Sequence, residues 1–160
     1  MISASKVMIR IMFVCYGNIC RSPMAEFVLK DLAKKRKAED IFFVSSSATS
    51  TEEVPNGIGR PVYAPVRELL ASKGIDTSGK RAVQLRADDY GKYDLFIAMD
   101  DMNIRNMKRI LNGDPDGKIH KMCEYFGETK DVDDPWYTRD FEAAYKEIYA
   151  GCEGLIDIYI

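Results

Sequence analysis

Little in this sequence points to a metal, a membrane or a nucleic acid. Among 160 residues there is one histidine, and the four cysteines (15, 20, 123 and 152) form no C-x-x-C pair, so no metal-ligand set is expected. No apolar stretch is long enough to span a bilayer. Arg10 interrupts the first apolar segment and no small-residue cleavage site follows, which argues against a secretory signal. The net charge is −2, so no global basic field favours nucleic acid. Cys15 and Cys20 flank a tight loop while Cys123 and Cys152 lie far apart in sequence, which favours free thiols in a reducing cytoplasm over two disulfides. Repeats, low-complexity tracts and dividing linkers are also missing. Residues 1–160 therefore read as one domain, with ordinary composition and enough chain to bury a core.

What is present alternates between strand-like and helix-like patterns. Residues 7–14 (VMIRIMFV) read as a mostly buried strand, and 22–37 as a helix with Pro23 in its first turn. Its basic tail, residues 34–37, reads as a solvated helix end that complements the dipole. Residues 41–44 form a second short strand, 45–59 a polar loop, and 61–73 a helix stopped by Gly74. A third strand covers 93–99, a helix with an acidic cap 100–111, a short fourth strand 118–122, and a closing amphipathic helix 141–156. This order implies βαβ units, a parallel sheet, and a ligand site beyond the carboxyl ends of the strands.

The loop Cys15-Tyr16-Gly17-Asn18-Ile19-Cys20-Arg21-Ser22 falls at such an end. A strand-to-helix loop gathers unpaired N–H groups and the positive end of a helix dipole, so it attracts anions. A sulfur at Cys15 is favoured there as the nucleophilic thiolate. Arg21 offers a planar fork that matches two phosphate oxygens. Gly17 permits an unusual backbone angle or close approach to a ligand, and Asn18 tolerates a left-handed conformation. Ser22 either caps the helix or hydrogen-bonds the Cys15 sulfur.

A thiolate attacking a phosphate ester still needs an acid for the leaving oxygen. Asp131-Val132-Asp133-Asp134-Pro135-Trp136-Tyr137 is the candidate segment. Adjacent aspartates disfavour each other's ionised form. Trp136 and Tyr137 offer apolar walls for a flat leaving group.

Residues 14–25 (VCYGNICRSPMA) resemble the signature of the low-molecular-weight protein tyrosine phosphatases, and residues 134–137 (DPWY) resemble their acid loop. Residues 46–50, Met99-Asp100 with Asn103, and the terminal helix match as well, so the resemblance covers nearly the whole chain. It implies an α/β, flavodoxin-like three-layer sandwich: a four-stranded parallel sheet in the order 2-1-3-4 with helices on both faces. It further implies that Cys15 forms a phosphocysteine and that Arg21 binds phosphate and stabilises the transition state. Asp134 would protonate the leaving phenolate and then activate water. Ser22 would stabilise the thiolate, Asn18 would organise the loop with Ser46, and Tyr16, Trp136 and Tyr137 would border the cleft, the loop from Gly17 to Cys20 completing the phosphate cradle with Ile19 at the pocket wall. Cys20 matches a second loop cysteine able to form a reversible disulfide with Cys15. The implied partners are a phosphotyrosine-containing protein or peptide and inorganic phosphate as product and inhibitor. No metal, organic cofactor, nucleic acid or membrane is implied.

This chain departs from that family in two places. Thr51-Glu52-Glu53-Val54 stands where an aromatic residue is frequent, making the cleft rim more acidic. A histidine common near Gly79-Lys80 is missing, and His120 reads as a surface or strand-end residue. Two other reactions fit the same loop. Protein-arginine phosphatases resemble this chain but carry Thr where Ile19 stands, and a bulky Ile suits a phenyl ring better than a branched guanidinium. Thioredoxin-coupled arsenate reductases need a close pair of resolving cysteines on a mobile segment, which Cys123 and Cys152 do not resemble. A non-catalytic phosphopeptide-binding module is disfavoured by the joint presence of Cys15, Arg21 and Asp134.

Overall fold

The computed structural model describes residues 8–160. Strand β1 (Ile9–Cys15) alternates its side chains between two layers. Ile11, Phe13 and Cys15 point into one core with Met24, Val28, Leu29, Ile148 and Leu155. Met12 and Val14 point into the other, with Phe96, Ala98, Met107 and Leu111. Both faces of β1 are therefore apolar, as expected of a central parallel strand. Fully burying a side chain such as Phe13 or Ile11 is worth about 1.5–3 kcal/mol.

The sheet runs β2-β1-β3-β4, all parallel, where β2 is Phe42–Ala48, β3 Leu95–Ala98 and β4 Ile119–Lys121. This matches the expected order. Helices α1 (Arg21–Lys35), α2 (Ala64–Ser72) and α5 (Phe141–Tyr159) contribute to the first core, and α3 (Asp101–Ile110) covers the opposite face. A single turn, α4 (Pro135–Thr138), precedes α5. Among the described residues no helix is long and apolar enough to cross a membrane.

Several boundaries move. Residue 7 of the first expected strand lies outside the described residues. Residues 45–48, read as loop, continue β2 and pair in register with β1 as far as Cys15 opposite Ala48. Their serine content hid the strand, but each hydroxyl is partnered: Ser45 by Tyr93, Ser46 by Glu26 and Ser47 by the Met12 sulfur. Helix α2 starts at Ala64, because Pro61 sits in a bridge to Arg81 and Pro65 opens the first turn. The basic tail of α1 is solvated as expected, with Arg36 reaching Asp157 and Glu153 of α5.

Candidate active site

Pairing across β1 holds Cys15 at the carboxyl edge of the sheet, and the next residues wrap back over it. Its sulfur lies 3.0 Å from Ser22 Oγ and receives the backbone N–H groups of Asn18 at 3.3 Å and Ser22 at 3.4 Å. Converging donors suit an anionic sulfur. Asn18 has φ 59°, the left-handed conformation anticipated for it. Its side chain is saturated: Nδ2 donates to Ser22 Oγ at 2.8 Å and Ser46 Oγ at 2.9 Å, while Oδ1 accepts the Val83 N–H at 2.9 Å.

Two local alternatives are decided. Ser22 does not cap α1; the helix begins at Arg21 with Cys20 as its capping position and no side-chain cap, so the hydroxyl is free to face sulfur. Gly17 is not left-handed. A Cβ there would sit tightly against the Glu53 side chain, 3.1 Å from its Cγ.

Arg21 is 2% exposed. Nη1 donates to Asp100 Oδ2 at 2.8 Å and to the Val132 carbonyl at 2.7 Å, and Nη2 lies 3.5 Å from Asp134 Oδ2. Burial alone would loosen its proton, but the charges of Cys15, Asp100 and Asp134 outweigh that, and the guanidinium holds its proton more tightly than usual. Asp100 divides its work: Oδ1 caps α3 through the Asn103 N–H at 2.7 Å while Oδ2 orients Arg21. The sequence reading anticipated the cap and missed the arginine contact, which spans 79 positions and leaves no local signal.

The acid-loop residues arrive from the far edge of the sheet. Val132 is buried and its N–H bonds to the Met99 carbonyl, which ties the segment to the end of β3. Asp134 caps α4, accepting the Trp136 N–H at 3.0 Å. Trp136 rests on Tyr63 with ring centroids 4.9 Å apart, and the Tyr63 N–H donates to the Ile19 carbonyl at 2.9 Å. One residue thus touches both loops. Tyr16 donates its hydroxyl to Glu52 at 2.6 Å on the rim, and that bond raises the phenol's proton affinity.

Together these pieces enclose a cavity of about 130 Å³ lined by Cys15, Tyr16, Gly17, Ile19, Cys20, Arg21, Glu52, Glu53, Asp134, Trp136 and Tyr137. Asn18, Ser22 and Ser46 stand behind this wall, in support of it. The family model for low molecular weight phosphotyrosine protein phosphatases matches residues 10–158. The chain belongs to this family of phosphatase enzymes. The phosphatase is 36% identical over 151 residues to YfkJ, a low molecular weight protein-tyrosine-phosphatase of Bacillus subtilis, covering 93% of this chain and 94% of that one. It is 34% identical over 154 residues to PtpA of Staphylococcus aureus, covering 96% and 95%. The YfkJ crystal structure superposes with a TM-score of 0.88 at 34% identity, covering 95% and 94% of the two chains. A drosophila arginine phosphatase superposes at 0.82 with 32% identity, covering 93% and 96%.

The remaining cysteines of the phosphatase are free and buried. Burial, reinforced by the charges of Cys15 and Asp134, pushes the Cys20 thiol well up, so it does not compete as a nucleophile. Burial pushes Cys123 up to about 11 and Cys152 higher still. Both are 0% exposed in the first core, unlike a mobile resolving pair. His120 lies in β4 beside Glu124, Nδ1 to carboxylate 3.3 Å, and does not line the cavity. Among the described residues no histidine, cysteine and carboxylate cluster could hold a metal.

Proposed function

We propose that the phosphatase hydrolyses phosphotyrosine in proteins or peptides through a phosphocysteine on Cys15. The observation that carries this reading is one small cavity that brings a donor-ringed sulfur, a buried guanidinium and an aspartate against an aromatic wall. The ester phosphate enters the loop and engages Arg21, replacing its contact with Asp134. The sulfur lone pair forms the S–P bond as the P–O bond breaks, and Asp134 gives its proton to the departing phenolate oxygen. The same carboxylate then takes a proton from water, which attacks phosphorus; the S–P bond breaks and thiolate and inorganic phosphate result. Phosphate is therefore both product and inhibitor, and no cofactor is required. Cys20 lines the same cavity, and a reversible disulfide with an oxidised Cys15 is the role the family resemblance suggests for it. The free thiols suit a reducing compartment such as the cytoplasm.

Phosphoarginine is the second reading, favoured by the likeness to the drosophila arginine phosphatase. Ile19 in the cavity wall supports tyrosine, because its branched bulk fits a flat ring and crowds a guanidinium. Turnover of matched phosphotyrosine and phosphoarginine peptides decides between them: tyrosine is expected to give the higher kcat/KM, and the reverse order sinks this assignment.

A further inference from the structure

A charged cluster lies buried behind the nucleophilic loop, away from the cavity. Glu26 of α1 and Lys80, in the turn after Gly79, have side chains only 6% and 12% exposed, with Nζ 3.3 Å from Glu26 Oε1. Lys80 also donates to the Ser46 carbonyl at 3.1 Å. Ser46 Oγ donates to the same Glu26 oxygen at 2.5 Å and accepts from Asn18, whose N–H in turn reaches the Cys15 sulfur. Lys30, at the surface, holds the other Glu26 oxygen at 2.6 Å. Neither Glu26 nor Lys80 lines the cavity, yet removing two charges from water is costly and is tolerated only where the pairing and hydrogen bonding are good.

We propose that Lys80 is a positioning residue for the phosphatase reaction: anchored by Glu26, it fixes Ser46 and, through Ser46, the left-handed Asn18 that shapes the loop around phosphate and sulfur. The inference rests on the reading of Cys15 as nucleophile. The lysine grips Ser46 at two places, its carbonyl directly and its hydroxyl through the shared carboxylate, so the Ser46 hydroxyl has one orientation left in which to meet Asn18. Asn18 is 1% exposed and has no alternative partner in water. Burial loosens the Lys80 proton below an ordinary lysine, against the opposing pull of Glu26 and Cys15. The charged groups that act on it are Glu26 and Lys30 from α1 and Cys15 from the end of β1.

The test compares Lys80→Met, Lys80→Arg and the double variant Glu26→Gln/Lys80→Met. Readouts are kcat and KM on a phosphotyrosine peptide, the inhibition constant of inorganic phosphate, and the melting temperature. Lys80→Met is expected to lower kcat/KM by roughly 10- to 100-fold and to weaken phosphate inhibition, since a small displacement of a positioned group has that scale of effect. Lys80→Arg restores both to within about threefold. The double variant leaves no uncompensated buried charge, so it regains melting temperature but stays impaired in phosphate inhibition. Full activity in Lys80→Met, no rescue by Arg, or full recovery in the double variant overturns the proposal. Should Lys80→Met not fold, phosphate inhibition of wild type and Lys80→Arg across alkaline pH decides. The arginine variant keeps its grip where wild type loses it as Lys80 gives up its proton, and coincident profiles count against the inference. An inactive wild type would instead remove the phosphatase reading itself.

Discussion

The loop that carries Cys15 and the loop that carries Asp134 face each other across one cavity, but they are held in opposite ways. In the first, Asn18 uses both ends of its amide, Arg21 is 2% exposed, and hydrogen bonds reach β2, α1 and the segment at Val83. In the second, Val132 is an apolar plug, but Asp134 relies on one backbone N–H and one charge contact, and Trp136 and Tyr137 are 46% and 82% exposed. Transition-state charge calls for donors fixed in advance, whereas a proton donor and an aromatic wall must admit a substrate first. On the proposed mechanism the rigid side would hold the phosphoryl group and the looser side would serve the leaving group.

Removing the proposed nucleophile probes the rigid side hardest. Cys15→Ser is expected to abolish turnover, by roughly 10⁵-fold or more, because the step through sulfur has no substitute. Phosphate binding, followed by calorimetry, should survive, since Arg21 and the loop N–H groups remain. Persistent activity in a clean preparation would falsify the nucleophile assignment. Asp134→Ala is expected to cost about 10²- to 10⁴-fold in kcat on phosphotyrosine, the usual range for general acid–base groups. Phosphoenzyme formation, read as a burst, should be much less affected with a leaving group that needs no proton; an equal loss for both would deny Asp134 the acid role.

Stability separates the loops in the same direction. Asn18→Ala places alanine at φ 59°, strands the buried Ser22 and Ser46 hydroxyls and frees the part-buried Val83 N–H, so about 2–4 kcal/mol of stability should be lost. The expected melting shift is on the order of 10 °C downward. Trp136→Ala removes a half-exposed ring from Tyr63 and should shift melting by only about 2–4 °C, while raising KM roughly 3- to 10-fold for an aromatic substrate. If Trp136→Ala destabilised the protein as much as Asn18→Ala, the contrast between the loops would be lost.

The strands, the helices and the two loops were legible because their signals are local. Apolar runs marked β1 and β3, Asp100 announced the start of α3, and the loop chemistry of Cys15 and Arg21 sits within five intervening residues. Residues 45–48 were misread because a serine-rich strand looks like a loop until its hydroxyls find partners across the fold. Ser22 offers two roles in the sequence, a cap or a bond to sulfur, and local pattern does not choose between them; in the fold its hydroxyl meets the Cys15 sulfur. The grip of Asp100 and Val132 on Arg21 and the Lys80–Glu26 pair join positions 54 to 111 residues apart, and neither residue type nor spacing advertises such a meeting.

Tyr63 has a consequence of its own. Its backbone is fastened to the nucleophile loop at Ile19, while its ring carries Trp136 of the acid loop. That arrangement makes it a spacer: beside the Arg21 contacts to Val132 and Asp134, its ring helps set the width of the slot between the Cys15 sulfur and the Asp134 loop. A change of ring size at this position would retune which leaving groups fit without altering the grip on phosphate.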